Sequence, residues 1–162
     1  MFERFGNFDS AEEINQTAAG LKEEGDLESL KVLAKENGLD EYDAEDYMNG
    51  DITELCNPLS AAVGKLKVER DEAKPELIMK DWMEHIMKQT QKLESFRKAV
   101  RRKDKSLTGC FAAVLIWSFE HQIKISQEII KEAKIKAGRV TIGIPNKETA
   151  EKIIDEYYGG GK

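Results

Sequence analysis

Apolar residues recur at three- and four-residue steps along most of this chain, a spacing that predicts α-helices. In the N-terminal third the pattern divides into three short segments. Each segment follows a residue type that commonly caps helices, and these residues are Ser10, Asp26 and Asp40. A glycine follows each segment at a position suited to a helix C-terminus. The sequence therefore predicts a small array of three short helices.

A fourth helix is predicted to begin at residues 57–58, where proline occupies the first helical position. The stretch at residues 67–76 is highly charged and contains Pro75, so we interpret it as a linker or exposed turn. The longest apolar repeat follows and predicts a single helix from Pro75 to about residue 103. Trp82 lies on the apolar side of this helix and is expected to be largely buried.

The segment at residues 107–119 is apolar around almost its whole circumference. Such a helix is typical of the centre of a core, so we expect it to be buried, including Trp117. Ser126 should cap a further helix. The inward-facing residues of that helix are predicted to be Ile129, Ile130, Ala133 and Ile135. A β-branched stretch predicts at most one short extended segment near residues 139–144, before a last helix at residues 147–158.

These elements together predict a mostly α fold, with short N-terminal helices and a C-terminal helical core. We divide the chain into an acidic N-terminal helical unit (residues 1–70), a helical core domain (71–158) and a flexible glycine-rich tail (159–162).

The sequence has no apolar run of about 18 residues, so no membrane span is predicted. It also lacks an export signal, which favours a cytoplasmic location in a bacterial cell.

Charge is distributed unevenly between the two halves of the chain. Residues 1–55 hold 16 acidic and 4 basic residues, whereas residues 56–162 hold 15 acidic and 21 basic residues. The acidic half is expected to repel nucleic acid and to attract a basic surface, including one that itself holds nucleic acid. The alternative is that the two halves of the chain attract each other.

Sequence signatures of catalysis are missing. The chain has no nucleophile elbow, phosphate-binding loop or dinucleotide fingerprint, so we assign no catalytic residue, no cofactor and no enzyme activity. Cys56 and Cys110 are expected to be reduced and packed rather than reactive. These cysteines, His85 and His121 lack the close paired spacing of zinc ligands. Residues 40–51 fail the calcium-loop template because they lack its glycine, so no metal site is predicted.

The sequence GLDEYDAEDYMNGD at residues 38–51 contains six acidic residues and no basic residue. The helix dipole favours acids in a first helical turn, which accounts for Asp40, Glu41 and Asp43 but not for the rest. Carboxylates one helical turn apart are about 5–6 Å from each other, comparable with the ~7 Å that two phosphate steps span along a DNA strand. We define an acidic surface as a candidate partner-binding site. Its residues are Asp40, Glu41, Asp43, Glu45, Asp46, Asp51 and Glu54.

A second candidate is a basic cluster with six cations within nine residues. Its residues are Arg97, Lys98, Arg101, Arg102, Lys103 and Lys105. Such a cluster could contact phosphates of a nucleic acid. It could equally be a solvated helix end that complements the helix dipole or pairs with the acidic half. The sequence leaves both interpretations open.

Several stretches resemble a known group of proteins. The clearest are VRRKDKSLTGCFAAVLIWSF at residues 100–119 and KAGRVTIGIPNKETAEKIIDEYY at residues 136–158. They are similar to the PcfK-like group of accessory proteins from conjugative elements and phages. That group includes an anti-CRISPR family that inhibits the type II RNA-guided DNA nuclease. The most specific shared pieces contain no catalytic signature, so the resemblance indicates a family rather than a mechanism.

The resemblance implies an inhibitor that binds the type II CRISPR nuclease directly, with or without its guide RNA. This nuclease holds nucleic acids in positively charged channels, so the acidic surface would compete for such a channel without chemistry. The alternative is a conjugative-element accessory protein. In that case the basic cluster would bind DNA or a relaxosome partner.

Overall fold

The computed structural model describes residues 3–159, which form nine helices and one two-stranded sheet. The predicted mostly α fold is therefore confirmed. The helices are α1 (Ala11–Glu23), α2 (Leu27–Glu36), α3 (Glu41–Asn49), α4 (Pro58–Ala73), α5 (Ile78–Lys92), α6 (Glu94–Arg101), α7 (Leu107–Glu120), α8 (Gln127–Glu132) and α9 (Lys147–Gly159). Gly159, assigned to the predicted tail, ends α9. Residues 160–162 of that predicted tail lie outside the described residues.

The first four helices begin where the sequence predicts. The side chains of Ser10, Asp26, Asp40 and Asn57 each accept a hydrogen bond from a backbone amide in the first turn of their helix. Gly50 ends α3 with a φ of 86°, a conformation that glycine adopts without steric cost. Local capping thus sets the boundaries of the N-terminal helices.

Two clusters of buried apolar residues make up the core, and α4 contributes to both. The N-terminal cluster comprises Ala11, Ile14, Ala18, Leu30, Leu33, Ala34, Ala44, Tyr47, Leu55, Cys56 and Ala61. The C-terminal cluster comprises Ala62, Leu66, Met83, Ile86, Phe96, Ala99, Val100, Leu107, Cys110, Val114, Ile154 and Tyr158. Since Ala61 and Ala62 are adjacent in α4, this helix connects the N-terminal helices to the rest of the chain.

The interpretation of residues 67–76 as a linker or turn is wrong for its first seven residues. They continue α4 to Ala73, and the chain turns only at Lys74, whose φ is 44°. Glu69, in the middle of this charged stretch, is buried, and its Oε2 accepts the backbone amide of Leu107 at 2.9 Å. Because most residues of this stretch are charged, the sequence did not indicate that Glu69 faces the core.

The long helix predicted from Pro75 to residue 103 is two helices, α5 and α6, separated at Leu93. Leu93 has extended backbone angles, with φ −112° and ψ 120°. The guanidinium of Arg97 donates to the carbonyl oxygens of Thr90 and Gln91 at 3.1 and 3.0 Å. These bonds satisfy carbonyls that a helix C-terminus leaves without intrahelical partners. The apolar repeat continues across the break, which explains why it predicted one helix.

The prediction that α7 is buried at the centre of the core is also wrong. Only one side of the helix, with Leu107, Cys110 and Val114, is buried. On the opposite side, Leu115, Ile116 and Phe119 are 57%, 59% and 71% exposed.

The two tryptophans, which were expected to be largely buried, are both of intermediate exposure, and Trp82 packs against the C-terminal cluster. Trp82 makes an edge contact with the ring of Phe111, and Trp117 stacks on the ring of His121 with centroids 4.2 Å apart.

The segment after α7 is more exposed than predicted. Helix α8 has six residues and buries only Ile130. The remaining residues expected to face inward, Ile129, Ala133 and Ile135, are exposed. The predicted extended segment near residues 139–144 contains strand β2 (Thr141–Ile142), which pairs antiparallel with strand β1 (Ile123–Lys124). Two-residue strands give no periodic signal, so the sequence did not reveal the partner strand.

Close backbone packing joins the end of α2 to α4. A Cβ atom added at Gly64 would overlap the carbonyl oxygen of Asn37, and one added at Gly38 would overlap the carbonyl oxygen of Gly64. Gly38 also has a φ of 66°, which favours glycine. The two helices can approach this closely only because neither glycine has a side chain.

We expect Gly64→Ala to lower the free energy of unfolding by about 2 kcal/mol or more, because the added methyl group meets backbone that cannot move aside cheaply. Gly20→Ala is the matched control. Gly20 lies within α1 and has open space around it, so this change should stabilise the protein by about 0.5–1 kcal/mol. Urea denaturation of the three proteins measures both effects. Equal effects of the two substitutions would contradict the packing described here.

Lys65 is fully buried in α4 and holds the segment between α6 and α7. Its Nζ donates to the carbonyl oxygens of Arg102 at 2.6 Å and Lys105 at 2.7 Å. The carboxylate of Glu69 lies 3.8 Å from the same nitrogen. Burial lowers the pKa of Lys65 to about 8 from an ordinary value of 10.5.

This lowered pKa predicts how stability depends on pH. Between pH 8 and 10.5 the folded protein binds fewer protons at Lys65 than the unfolded chain does, so its contribution to stability rises with pH. Relative to Lys65→Met, the wild type should gain up to about 3 kcal/mol of unfolding free energy across this range. Urea denaturation at pH 8 and 10.5 measures the gain. Lys67→Met, at an exposed lysine of the same helix, should show no such change; an equal change there would refute the prediction.

Candidate binding surface

The acidic surface is formed by α3 and the segment that follows it. Helix α3 buries Ala44 and Tyr47 in the N-terminal cluster, which leaves its acidic residues on the remaining sides. After α3 the chain folds back, because the backbone amide of Asp51 donates to the carbonyl oxygen of Asp46 at 2.8 Å. The later acids at residues 51–54 therefore lie beside the end of α3 rather than beyond it.

Few of these acids are neutralised within the chain. Glu45 pairs with the Nζ of Lys31 at 2.5 Å, and Asp40 caps α3 by accepting the amide of Tyr42 at 3.0 Å. Within residues 3–159 the other members of the acidic surface form no salt bridge. Those members are Glu41, Asp43, Asp46, Asp51 and Glu54.

Two grooves flank α3 and differ in charge. The first, of about 660 Å³, places Asp40 and Glu41 opposite basic side chains. Its basic lining residues are Lys31, Lys35, Lys67 and Arg70. The second, of about 520 Å³, is lined by Asp43, Asp51 and Glu54 and by uncharged residues. The sequence predicted one acidic surface. In the fold, only the second groove has charged lining residues that are all acidic.

The basic cluster does not form one exposed group of cations. Arg97 binds the end of α5, as described above. Arg101 is 2% exposed, and its Nη2 donates to the Oδ1 of Asn37 at 2.6 Å. The Nζ of Lys105 lies 4.6 Å from the centre of the Tyr157 ring. These three side chains are therefore engaged within the chain.

The other three cations of the cluster form ion pairs. Lys98 pairs with Glu94, and Arg102 pairs with Asp104. Lys103 lies 3.5 Å from the carboxylates of both Asp9 and Glu13. The expected attraction between the two halves of the chain thus occurs at Lys103. It does not involve the acidic surface, which has no salt bridge to this cluster.

The thiols and imidazoles lie in separate places. Cys56 belongs to the N-terminal cluster and Cys110 to the C-terminal cluster, and burial raises the pKa of both thiols to about 12. His85 approaches the carboxylate of Asp155 at 2.8 Å. Across residues 3–159 no three His, Cys, Asp or Glu side chains are arranged to hold a metal ion.

None of the described helices is long and apolar enough to cross a membrane.

A third surface was missed by the sequence analysis. Eight of the twelve exposed large apolar residues in the described part of the chain fall within residues 115–144. We define the apolar surface as the six of them that lie on α7 and on or next to the β1–β2 sheet: Leu115, Ile116, Phe119, Ile123, Ile142 and Ile144. The α7 sequence is apolar around almost its whole circumference, which predicts a buried helix and not an exposed apolar side.

Comparison of the chain with protein-family models, with curated proteins and with solved structures gave no match.

We expect Arg101→Ala to lower the free energy of unfolding by about 2–4 kcal/mol, because it removes a buried side chain and leaves the Asn37 oxygen without its donor. Arg102→Ala, at the adjacent exposed position, should change it by no more than about 0.5 kcal/mol. Urea denaturation compares the two variants. If both substitutions lowered the free energy of unfolding by the same amount, the buried contacts of Arg101 would not be what stabilises the fold.

Proposed function

We propose that the protein is an anti-CRISPR inhibitor that binds the type II RNA-guided DNA nuclease and acts without catalysis. Its acidic surface would occupy a positively charged channel that otherwise holds nucleic acid. The observation that carries this proposal is the groove beside α3 whose only charged side chains are the carboxylates of Asp43, Asp51 and Glu54. The resemblance to the PcfK-like group supplies the identity of the target.

Unpaired carboxylates suit this role for an energetic reason. An acid that already forms a salt bridge must give up that partner before it can bind another, whereas Asp43, Asp46, Asp51 and Glu54 have no such partner to lose. Clustered like charges also repel one another in the free protein, and a basic partner relieves that repulsion. Complementary charge would in addition speed the encounter with a basic channel.

The alternative function, DNA or relaxosome binding through the basic cluster, has less support. Binding of a phosphate backbone depends on cations that are free to replace counterions. In this cluster Arg101 is buried and Arg97 caps α5, while Lys103 pairs with two acids. Only Lys98 and Arg102 are exposed by half or more, and each already pairs with a neighbouring acid.

A target-cleavage assay with the guide-loaded nuclease tests the proposal. The wild-type protein should block cleavage of target DNA when added in excess. A variant that changes Asp43, Asp46, Asp51 and Glu54 to lysine should need at least about ten times the concentration for the same inhibition. Because these acids have no salt bridges, the variant should remain folded, as circular dichroism would verify.

The matched control reverses four exposed acids outside the acidic surface and carries the same change in net charge. Its substitutions are Glu76→Lys, Asp81→Lys, Glu84→Lys and Glu148→Lys. It should inhibit as well as the wild type does. Cleavage unaffected by the wild-type protein would refute the proposed function. Inhibition that survives in the acidic-surface variant, or is lost equally in the control, would refute the role of that surface.

A further inference from the structure

The solvent-facing side of α7 is apolar where a solvent-exposed helix normally carries polar residues. Thr108, Ala112, Leu115, Ile116 and Phe119 are all exposed and follow one another at helical spacing. The helix has no charged residue before Glu120, its last position. Contact with water on this side is therefore unfavourable over most of the length of the helix.

The same surface extends onto the small sheet. Ile123 and Ile142 are direct partners in the β1–β2 pair, and both are exposed. A Cβ atom added at Gly143 would overlap the carbonyl oxygen of Ser118, so the sheet lies directly against the last turns of α7. The exposed isoleucines of the sheet thus continue the apolar side of the helix.

We propose that the apolar surface is the contact between two copies of this chain in a symmetric dimer. Its six residues are 45–71% exposed. At roughly 150–200 Å² for a fully exposed large side chain, they present on the order of 600 Å². Each partner in an interface at the lower end of the stable size range buries about the same area. This is also about the upper limit of the apolar patch that a monomeric protein commonly leaves in water.

The charged residues between positions 120 and 139, which we call the rim, favour a second copy over a nucleic acid. They are all exposed and carry both signs of charge: Lys124, Lys131, Lys134, Lys136 and Arg139 with Glu120, Glu128 and Glu132. None of these side chains forms a salt bridge within residues 3–159. A two-fold axis places the same patch on both partners, so acids of one rim can meet bases of the other. Surfaces that bind nucleic acid are more polar and more uniformly basic than this one.

The sheet offers a further means of association. Among the described residues, β1 and β2 pair only with each other, so each strand has one open edge. Open edges can pair with a strand of another chain. The dimer would form whether or not the protein binds a nuclease, because the acidic surface lies on α3 and the segment after it.

Sedimentation equilibrium of the wild-type protein from 1 to 100 µM tests the proposal, and twice the chain mass of 18.3 kDa is expected at the upper end. Ile116→Asp and Phe119→Asp should each raise the dimer dissociation constant by roughly 30-fold or more. Both side chains are exposed in one copy, so the variants should keep the wild-type circular dichroism spectrum. Leu93→Asp, at an exposed leucine between α5 and α6, is the matched control and should dimerise as the wild type does.

The wild-type mass is measured first and can refute the proposal by itself. A monomer at 100 µM would overturn it, as would a dimer that both aspartate variants leave intact.

The dependence of the dimer on salt concentration is a separate criterion. Raising the salt concentration from 0.1 to 0.5 M should leave an apolar contact in place, since salt screens only the exposed ion pairs of the rim, and such pairs contribute little. Dissociation of the dimer by salt would indicate a contact held by ion pairs and would also overturn the proposal.

Discussion

The burial of Arg101 against the end of α2 is the interaction on which the arrangement of the two clusters depends. A guanidinium without water needs hydrogen-bond partners, and Arg101 obtains them from Asn37 and from the carbonyl oxygen of Ala61, while its Nε has no partner among the described residues. Burial lowers the pKa of Arg101 to about 10. Since Asn37 and Gly38 pack on Gly64, the charged contact and the close backbone contact occupy the same junction. That junction sets the position of α2, and with it α3 and the acidic surface.

The sequence predicted the features that are decided locally. Caps such as Asp26 and Asp40 act on the next few backbone amides, so residue type and spacing were enough to find them. Features decided by tertiary contacts were missed. Arg101 appears in the sequence as one of several surface cations, and only the proximity of Asn37, 64 positions earlier, makes it a structural residue. A helix that is apolar on all sides can be enclosed by its own chain or can expose an apolar side to water. The sequence pattern is the same in both cases, so α7 was wrongly predicted to be buried.

The candidate site was predictable to a similar degree. The sequence identified the acidic residues and their unequal distribution along the chain, because charge can be counted. It did not distinguish the groove that faces Lys31, Lys35 and Lys67 from the groove that faces no base. That difference arises because α2 and the second half of α4 supply basic side chains to the first groove, whereas the start of α4 supplies only the uncharged Asn57 and Ser60 to the second. Packing therefore decides which acids are best placed to bind a basic partner, namely Asp43, Asp51 and Glu54. A count of charges along the sequence cannot separate these three from the other acidic residues.

The acidic and apolar surfaces lie on elements that do not pack against each other: α3 packs on α2, whereas α7 packs on α4 and α9. The N-terminus of α7 lies against Glu69, close to the junction of the two clusters, whereas its last turns carry the apolar surface. The fourteen residues of α7 rise about 21 Å, so its last turns lie well away from its contact with Glu69. A dimer formed through the apolar surface would leave both acidic surfaces accessible and would present two of them at once. Two linked binding surfaces gain avidity when both can engage. The apolar side of α7 would then strengthen binding by the acidic surface without contacting the partner.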